Sequence, residues 1–467
     1  MEEEFDFEYT EDAKFSVERY EEMIRKKDLY FFDSHAFENI IDFYIEKNDP
    51  IRALQVVEYA ISQHPYAAIF LIKEAQLLLI TGQSDQAFAI LEKAESLEPS
   101  NADIYLIRGS IFENREWHAE ALELYAKALE LSDSPDEIYL QMAYVHENLE
   151  DYEKAIDCLK SSLEHDMENQ DALYELAFCY DIVDKQEESI SFYNQYIDKE
   201  PYSYAAWYNL GNAYTKLGMF AKALDAYDYA ILIKDNFASA WFNKGNALIN
   251  LERYADAIDV FRHTFEYEQP DAETYCSIGE CYEKLEQMDE ARAFYKKAVK
   301  LDPKLAEAWF GIGITLDFEE RWFESIHFYK KALAIDDLTA EYWFALGDSE
   351  CKLGNFEAAK PAYEKVMDLS PGDENIWLDF SSMFFEQRNY KEAIALLSEG
   401  IKHLPDLIEL KYRLVAYLFS DGQTSEAIFS LEECLSADPD KHELLLEYLP
   451  ALQQNNVITD IISRYRL

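Results

Sequence analysis

The residues of this sequence that could do chemistry are present but do not assemble into a set. Nine His residues are spread along the chain, and His118, His146, His263 and His327 share no register, which suits packing or surface roles rather than ligation. Cys158, Cys179, Cys276, Cys281, Cys351 and Cys434 form no CxxC and have no Cys/His spacing suited to zinc. They read as small core-filling residues of a reducing compartment. Glu280 and Glu283 could pair as metal ligands or as acid and base, but no His or third carboxylate joins them, so a solvated helix face is expected. Gly311-Ile312-Gly313 could be half of a dinucleotide fingerprint. It follows Trp309 in a helical pattern with no strand before it, so close packing is the expected reason for both glycines. Gly-rich phosphate loops, GxSxG, HExxH and EF-hand patterns are absent from the sequence. The expectation is a chain with no catalytic residues, no metal and no cofactor.

The elements that would have to position such groups point elsewhere. At 467 residues the chain exceeds one ordinary core, so it is either several domains or an array. Hydrophobic residues make up 49%, too many for disorder, and 13 Gly with 12 Pro are too few for a loop-rich or all-β chain. Acidic residues number 93 against 42 basic, a net charge of −51. Such a surface repels phosphate backbones and anionic lipid, so nucleic acid is excluded as a partner and a basic protein segment is favoured. The acidic start Met1-Glu2-Glu3-Glu4-Phe5-Asp6 is unlike a secretory signal, and the most apolar stretch, 67–80, is interrupted by Lys73 and Glu74. Membrane insertion is not expected, and a cytoplasmic protein is.

A step of 34 residues brings the same residue classes back into register. Aromatics fall at Phe37, Tyr105, Tyr139, Trp207, Trp241, Tyr275, Trp309, Trp343 and Trp377. Four residues later stand Gly109, Ala143, Ala177, Gly211, Gly245, Gly279, Gly313, Gly347 and Ser381, and twelve further another small residue, such as Ala121, Ala223 or Ala359. Apolar spacing within each unit predicts two antiparallel amphipathic helices. Pro closes many units, from Pro65 to Pro439. Gly218 and Gly354 stand where a first helix must end. Pro361 falls inside a second helix and is expected to kink it. Connections of two to five residues are expected throughout.

The run Trp207-Tyr208-Asn209-Leu210-Gly211-Asn212-Ala213-Tyr214, followed by Ala223, Tyr227 and Ala230, resembles the tetratricopeptide repeat motif. The resemblance covers residues 34–441 as twelve units without insertion. It implies an all-α fold, a right-handed superhelical solenoid of antiparallel helix pairs. Residues 1–33 would then be an acidic tail and a capping helix. That helix, from 13 to about 27, carries Phe15, Tyr20, Met23 and Ile24 on its inner face. Residues 442–467 would close the other end, with a helix from about Val457 to Tyr465.

The resemblance also implies a groove lined by positions two, five, nine, twelve and thirteen of each unit. Of those 60 positions, 18 are acidic and 3 basic, so the groove is richer in carboxylates than the chain as a whole. Along the fifth position run Tyr174, Tyr208, Phe242, Cys276, Phe310 and Phe344, a row of anchors for apolar side chains. The ninth position carries Asn212 and Asn246, able to donate to and accept from a peptide backbone. Phe178, Glu280, Ile314 and Asp348 interrupt that register, which limits any Asn ladder to a local one. The groove cations Lys216, Lys284 and Lys352 are too sparse to clamp a terminal carboxylate. The expected function is a non-enzymatic protein-interaction scaffold whose peptide-binding residues are Tyr174, Tyr208, Asn212, Phe242, Asn246, Phe310 and Phe344. The alternative is a structural, self-associating subunit, a homo-oligomer joined through its ends.

Overall fold

A computed structural model describes residues 11–465. The acidic tail over 1–12 therefore lies almost wholly outside the described residues. Among these residues the chain is all-α, and it divides into two compact units, one ending at Asp235 and the other beginning at Asn236.

The first unit opens with α1 (Glu11–Lys26). Six helix pairs follow: α2 and α3 (Ser34–Glu46, Pro50–Gln63), α4 and α5 (Ala68–Ile80, Ser84–Leu97), α6 and α7 (Ala102–Glu113, His118–Leu131), α8 and α9 (Asp136–Asn148, Tyr152–His165), α10 and α11 (Gln170–Ile182, Gln186–Lys199), and α12 and α13 (Tyr204–Lys216, Phe220–Ile233). The second unit continues with α14 and α15 (Ala238–Asn250, Tyr254–Tyr267), α16 and α17 (Ala272–Lys284, Met288–Leu301), α18 and α19 (Ala306–Phe318, Trp322–Leu333), α20 and α21 (Ala340–Lys352, Phe356–Leu369), α22 and α23 (Glu374–Glu386, Tyr390–His403), and α24 and α25 (Ile408–Ser420, Thr424–Ala437). It ends with α26 (Glu443–Tyr448) and α27 (Asn456–Tyr465), each preceded by a short 3₁₀ turn that the sequence pattern did not signal.

Six of the pairs are closed by a ring of the second helix lying on a glycine of the first. Tyr125, Tyr227, Phe261, Tyr295, Tyr329 and Tyr363 of the second helices face Gly109, Gly211, Gly245, Gly279, Gly313 and Gly347. A β-carbon at Gly211 would stand 2.5 Å from Tyr227 Cε1, well inside contact distance. Where the second helix offers Leu159 or Leu397 instead, the first helix carries Ala143 or Ser381. Ala177 against Tyr193 breaks this pairing rule. The alanine methyl fills the seat, and Tyr193 turns to the other end of α10, fully buried, where its hydroxyl donates to the Leu173 carbonyl at 2.9 Å. Beside it a cleft of about 570 Å³ lies between α9 and α11, walled by Leu163, Met167, Tyr180, Phe192 and Tyr196.

The turns between paired helices share one conformation. Position fifteen of every unit has positive φ: Gly82, Gly218, Gly354 and Gly422, but also Asn48, Glu116, Glu150, Asp184, Glu252, Glu286, Glu320 and Arg388. Between units, the indole N–H of Trp207, Trp309, Trp343 and Trp377 donates to the carbonyl six residues earlier at 2.9–3.0 Å, tying a first helix to the turn that precedes it.

Two expectations need correction, the face of α1 and the length of one connection. The inner face of α1 is Ala13, Val17, Tyr20 and Met23, whereas Phe15 and Ile24 are 63% and 59% exposed. Phe15 lies on the opposite side of the helix, and Ile24 lines an open cleft with Tyr44 and Arg52 because the last turn of α1 overhangs its neighbour. The connection over 334–339 exceeds five residues, since α19 stops at Leu333 and the Asp336 carboxylate caps Leu338 N and Thr339 Oγ1 instead of letting the helix run on. Pro361 stands exposed inside α21, which continues unbroken to Leu369. At the other end α27 buries Ile458, Ile461 and Ile462.

Candidate functional site

The residues that first suggested chemistry are accounted for by packing. Gly311 and Gly313 make room for two different rings, Tyr295 and Tyr329, at 2.3 Å from each hypothetical β-carbon. Glu283 is not on a solvated face as expected. It is half-buried and accepts a hydrogen bond from Tyr295 Oη at 2.8 Å, and burial raises its pKa. Glu113 receives Tyr125 in the same way, so this carboxylate is a recurring hydroxyl acceptor. His146 is buried, and burial holds its pKa down; His263 stacks on Trp241. Burial pushes the thiols of Cys276, Cys281 and Cys434 up to about 12, so they stay protonated. Among the described residues no cluster of three or more metal-ligating side chains occurs, and no helix is long and apolar enough to cross a membrane.

The fifth-position rings are half-buried rather than free-standing. Tyr208, Phe242, Phe310 and Phe344 lean on the second-helix rings of their own units, Tyr227, Phe261, Tyr329 and Tyr363, with centroids 5.4–6.1 Å apart. Phe310 also meets Tyr342 of the next pair at 4.6 Å. Burial, then the neighbouring Tyr204 hydroxyl to which it hydrogen-bonds, raises the pKa of Tyr174. The stripe is thus partly structural, each ring presenting one edge outward. Asn212 is similarly committed: its Oδ1 accepts from Tyr227 Oη at 2.9 Å. Asn246 is half-buried on α14. Tyr174, Tyr208 and Asn212 belong to the first unit, and Phe242, Asn246, Phe310 and Phe344 to the second.

The charges on this face are unevenly compensated. Lys216 reaches Asp181 at 3.0 Å, and Lys352 reaches Asp317 at 3.2 Å and Asp348 at 2.9 Å, so two of the three lysines expected to line a groove are already paired with carboxylates of the first helices. The carboxylates of α6, α8 and α10 face one another instead. Burial and then Asp103 and Asp136 raise Glu137; burial and then Asp171 raise Glu175. Glu147 is pushed up to about 7 by burial and then by Glu175, against a weak hydrogen bond from Cys179 Sγ at 3.4 Å. Among the described residues no lysine or arginine forms an ion pair with Glu137, Glu147 or Glu175, so their mutual repulsion is left to raise their carboxyls.

Family profiles described as tetratricopeptide repeat match residues 72–135, 136–166, 204–237, 238–269, 272–305, 352–416 and 408–441, together more than half of the chain. No curated protein matches. Among solved structures, the chain is similar to YrrB, titled a TPR protein with an unusual peptide-binding site, at 23% identity over 39% of this chain and 94% of that one, with a TM-score of 0.33. It is also similar to the APC/C hetero-tetramer Cut9-Hcn1 at 14% identity, over 80% of this chain and 88% of that one, TM-score 0.43. A tetratricopeptide repeat protein from Parabacteroides merdae shares 17% identity over 53% of this chain and 98% of its own length, TM-score 0.43. With the repeat motif matched over more than half of the chain, in segments lying between residues 72 and 441 that are built from helix pairs, this chain belongs to the tetratricopeptide repeat family.

Proposed function

We propose that the chain is a protein-interaction scaffold that receives an extended basic segment along the exposed face of its first helices. The observation that carries this reading is the set of mutually facing carboxylates on α6, α8 and α10, beside lysines that are already paired. A guanidinium or ammonium brought there would relieve carboxylate repulsion, and oppositely charged faces speed encounter. The rings of Tyr174 and Tyr208 in the first unit, and separately those of Phe242, Phe310 and Phe344 in the second, supply apolar contact, and Asn212 and Asn246 supply polar contact to a peptide backbone within their own units.

A second reading, self-association through the ends, is favoured by Phe15 and Ile24, both exposed on α1. Capture from native lysate separates the two. The wild-type chain and a Tyr208→Ala/Asn212→Ala/Asn246→Ala variant are compared at low and moderate salt. A partner that is lost with the variant and weakened by salt is the expected result. Partners indifferent to both changes, or recovery of the chain alone with mass rising with concentration, would overturn the scaffold reading in favour of self-association.

A further inference from the structure

On α10 two large apolar side chains, Phe178 and Ile182, lie one turn apart and are 47% and 49% exposed. Leu149, at the end of α8, is 48% exposed. Tyr152, three residues later, sets its ring 6.3 Å from that of Phe178, so the phenylalanine is held from one side and open on the other. These residues stand at groove positions nine and thirteen of their unit, where α12 carries Asn212 and Lys216. Exposed apolar residues scattered singly need no explanation, but an i, i+4 pair on one helix face does.

The surroundings of this pair are acidic, and Asp181 between its two members is already met by Lys216. Glu147 on α8 faces Glu175 on α10, and Glu175 faces Asp171. The nearby cations are already occupied: Lys185 with Glu153 and Glu188, and Lys216 with Asp181. An apolar patch bordered by carboxylates is complementary to one chemistry, an apolar side chain with cationic neighbours on the same segment. A purely basic segment would leave Phe178 and Ile182 wet, and an acidic one would be repelled.

We propose that Phe178 and Ile182 are the anchor point for a leucine- or phenylalanine-like residue flanked by lysine or arginine, on an extended segment of a partner protein, with Glu147 and Glu175 receiving the flanking charges. This rests on the scaffold reading above and names the partner's chemistry. A contrast within the molecule supports it. Ile314 and Phe318 of α18 occupy the same two positions, and Phe318 is 60% exposed. There Lys352 holds Asp317 just as Lys216 holds Asp181, but it also holds Asp348, so one more carboxylate bordering that pair is neutralised.

The test uses the full chain and an array of extended peptides of about twelve residues, with a single Leu or Phe flanked by Lys and Arg, by Gln, or by Glu. Fluorescence anisotropy reads affinity at two salt concentrations. The Lys/Arg-flanked peptides are expected to bind best. Phe178→Ser with Ile182→Ser should weaken them by about tenfold or more, and Glu175→Gln should flatten the salt dependence. Because both substituted side chains are half-exposed, helix content and melting temperature should hold, which separates lost binding from lost fold. Phe318→Ser should bind like wild type. If the Phe178→Ser/Ile182→Ser variant binds normally while Tyr208→Ala with Asn212→Ala does not, the anchor is wrong and the scaffold reading stands. If the wild type does not prefer basic over glutamine flanks, both fail.

Discussion

Glu147 shows how a single side chain can record what a surface lacks. Its carboxyl is pushed up to about 7 by burial and by Glu175. In the unfolded chain the same group titrates near ~4.3. The folded state therefore holds a proton that the unfolded state releases, and stability falls as pH rises between those values. Glu147→Gln removes the penalty: melting temperature should rise at pH 8, by the equivalent of about 1–2 kcal/mol after allowing for partial exposure, and stay unchanged at pH 4. An equal gain at both pH values would assign the effect to packing rather than charge. At this scale the sequence was only partly legible. It marked Tyr208 and Phe242 as groove residues, yet one side of each ring is taken up by Tyr227 or Phe261. Such pairing depends on how a second helix leans on a first, which a position number does not carry. Phe178 passed as an interruption of an Asn register and Ile182 went unremarked; two apolar residues at positions nine and thirteen of one unit were the available signal.

Helices were the most legible elements, because the period of apolar residues, the small residue at the seam and the closing Pro all repeat in one register. The turns were less so. Glycine at 218 and 354 pointed to left-handed backbone, but the same conformation recurs at Glu116, Glu150, Glu252, Glu286 and Glu320, where no residue type announces it. A side chain there costs about 1–2 kcal/mol relative to right-handed backbone, which the two flanking helices together impose. Glu252→Gly should therefore stabilise the chain by about 0.5–1 kcal/mol, the strain relieved less the entropy glycine adds to the unfolded state. Chemical denaturation of the single variant measures it, and a loss of stability would mean that the turn carries no strain. The face of α1 was read wrongly at Phe15 and Ile24 because a capping helix has a neighbour on one side only. Which of its apolar residues finds that neighbour depends on where α2 lies.

For the molecule as a whole, a charge of −51 sets a term that no single contact reveals. Like charges repel across the folded array more than in an expanded chain, so screening them should favour the fold. Raising salt from about 20 to about 200 mM, which shortens the screening length to well under 10 Å, should raise the melting temperature. A fall would mean that ion pairs such as Arg292 with Glu319 outweigh the repulsion. The array was visible in the sequence from its period, whereas the division after Asp235 was not, since the 34-residue register runs through it without a break. The ring seats carry one last consequence, for descent. Gly211 and Tyr227 lie in one unit, as do Gly313 and Tyr329, so duplicating or deleting a whole unit carries both halves of a fit together. A crossover inside a unit would separate them. Tyr295 is clasped by Gly279 of its own unit and by Gly311 of the next, so residues 272–305 and 306–339 are bound to be inherited as a pair.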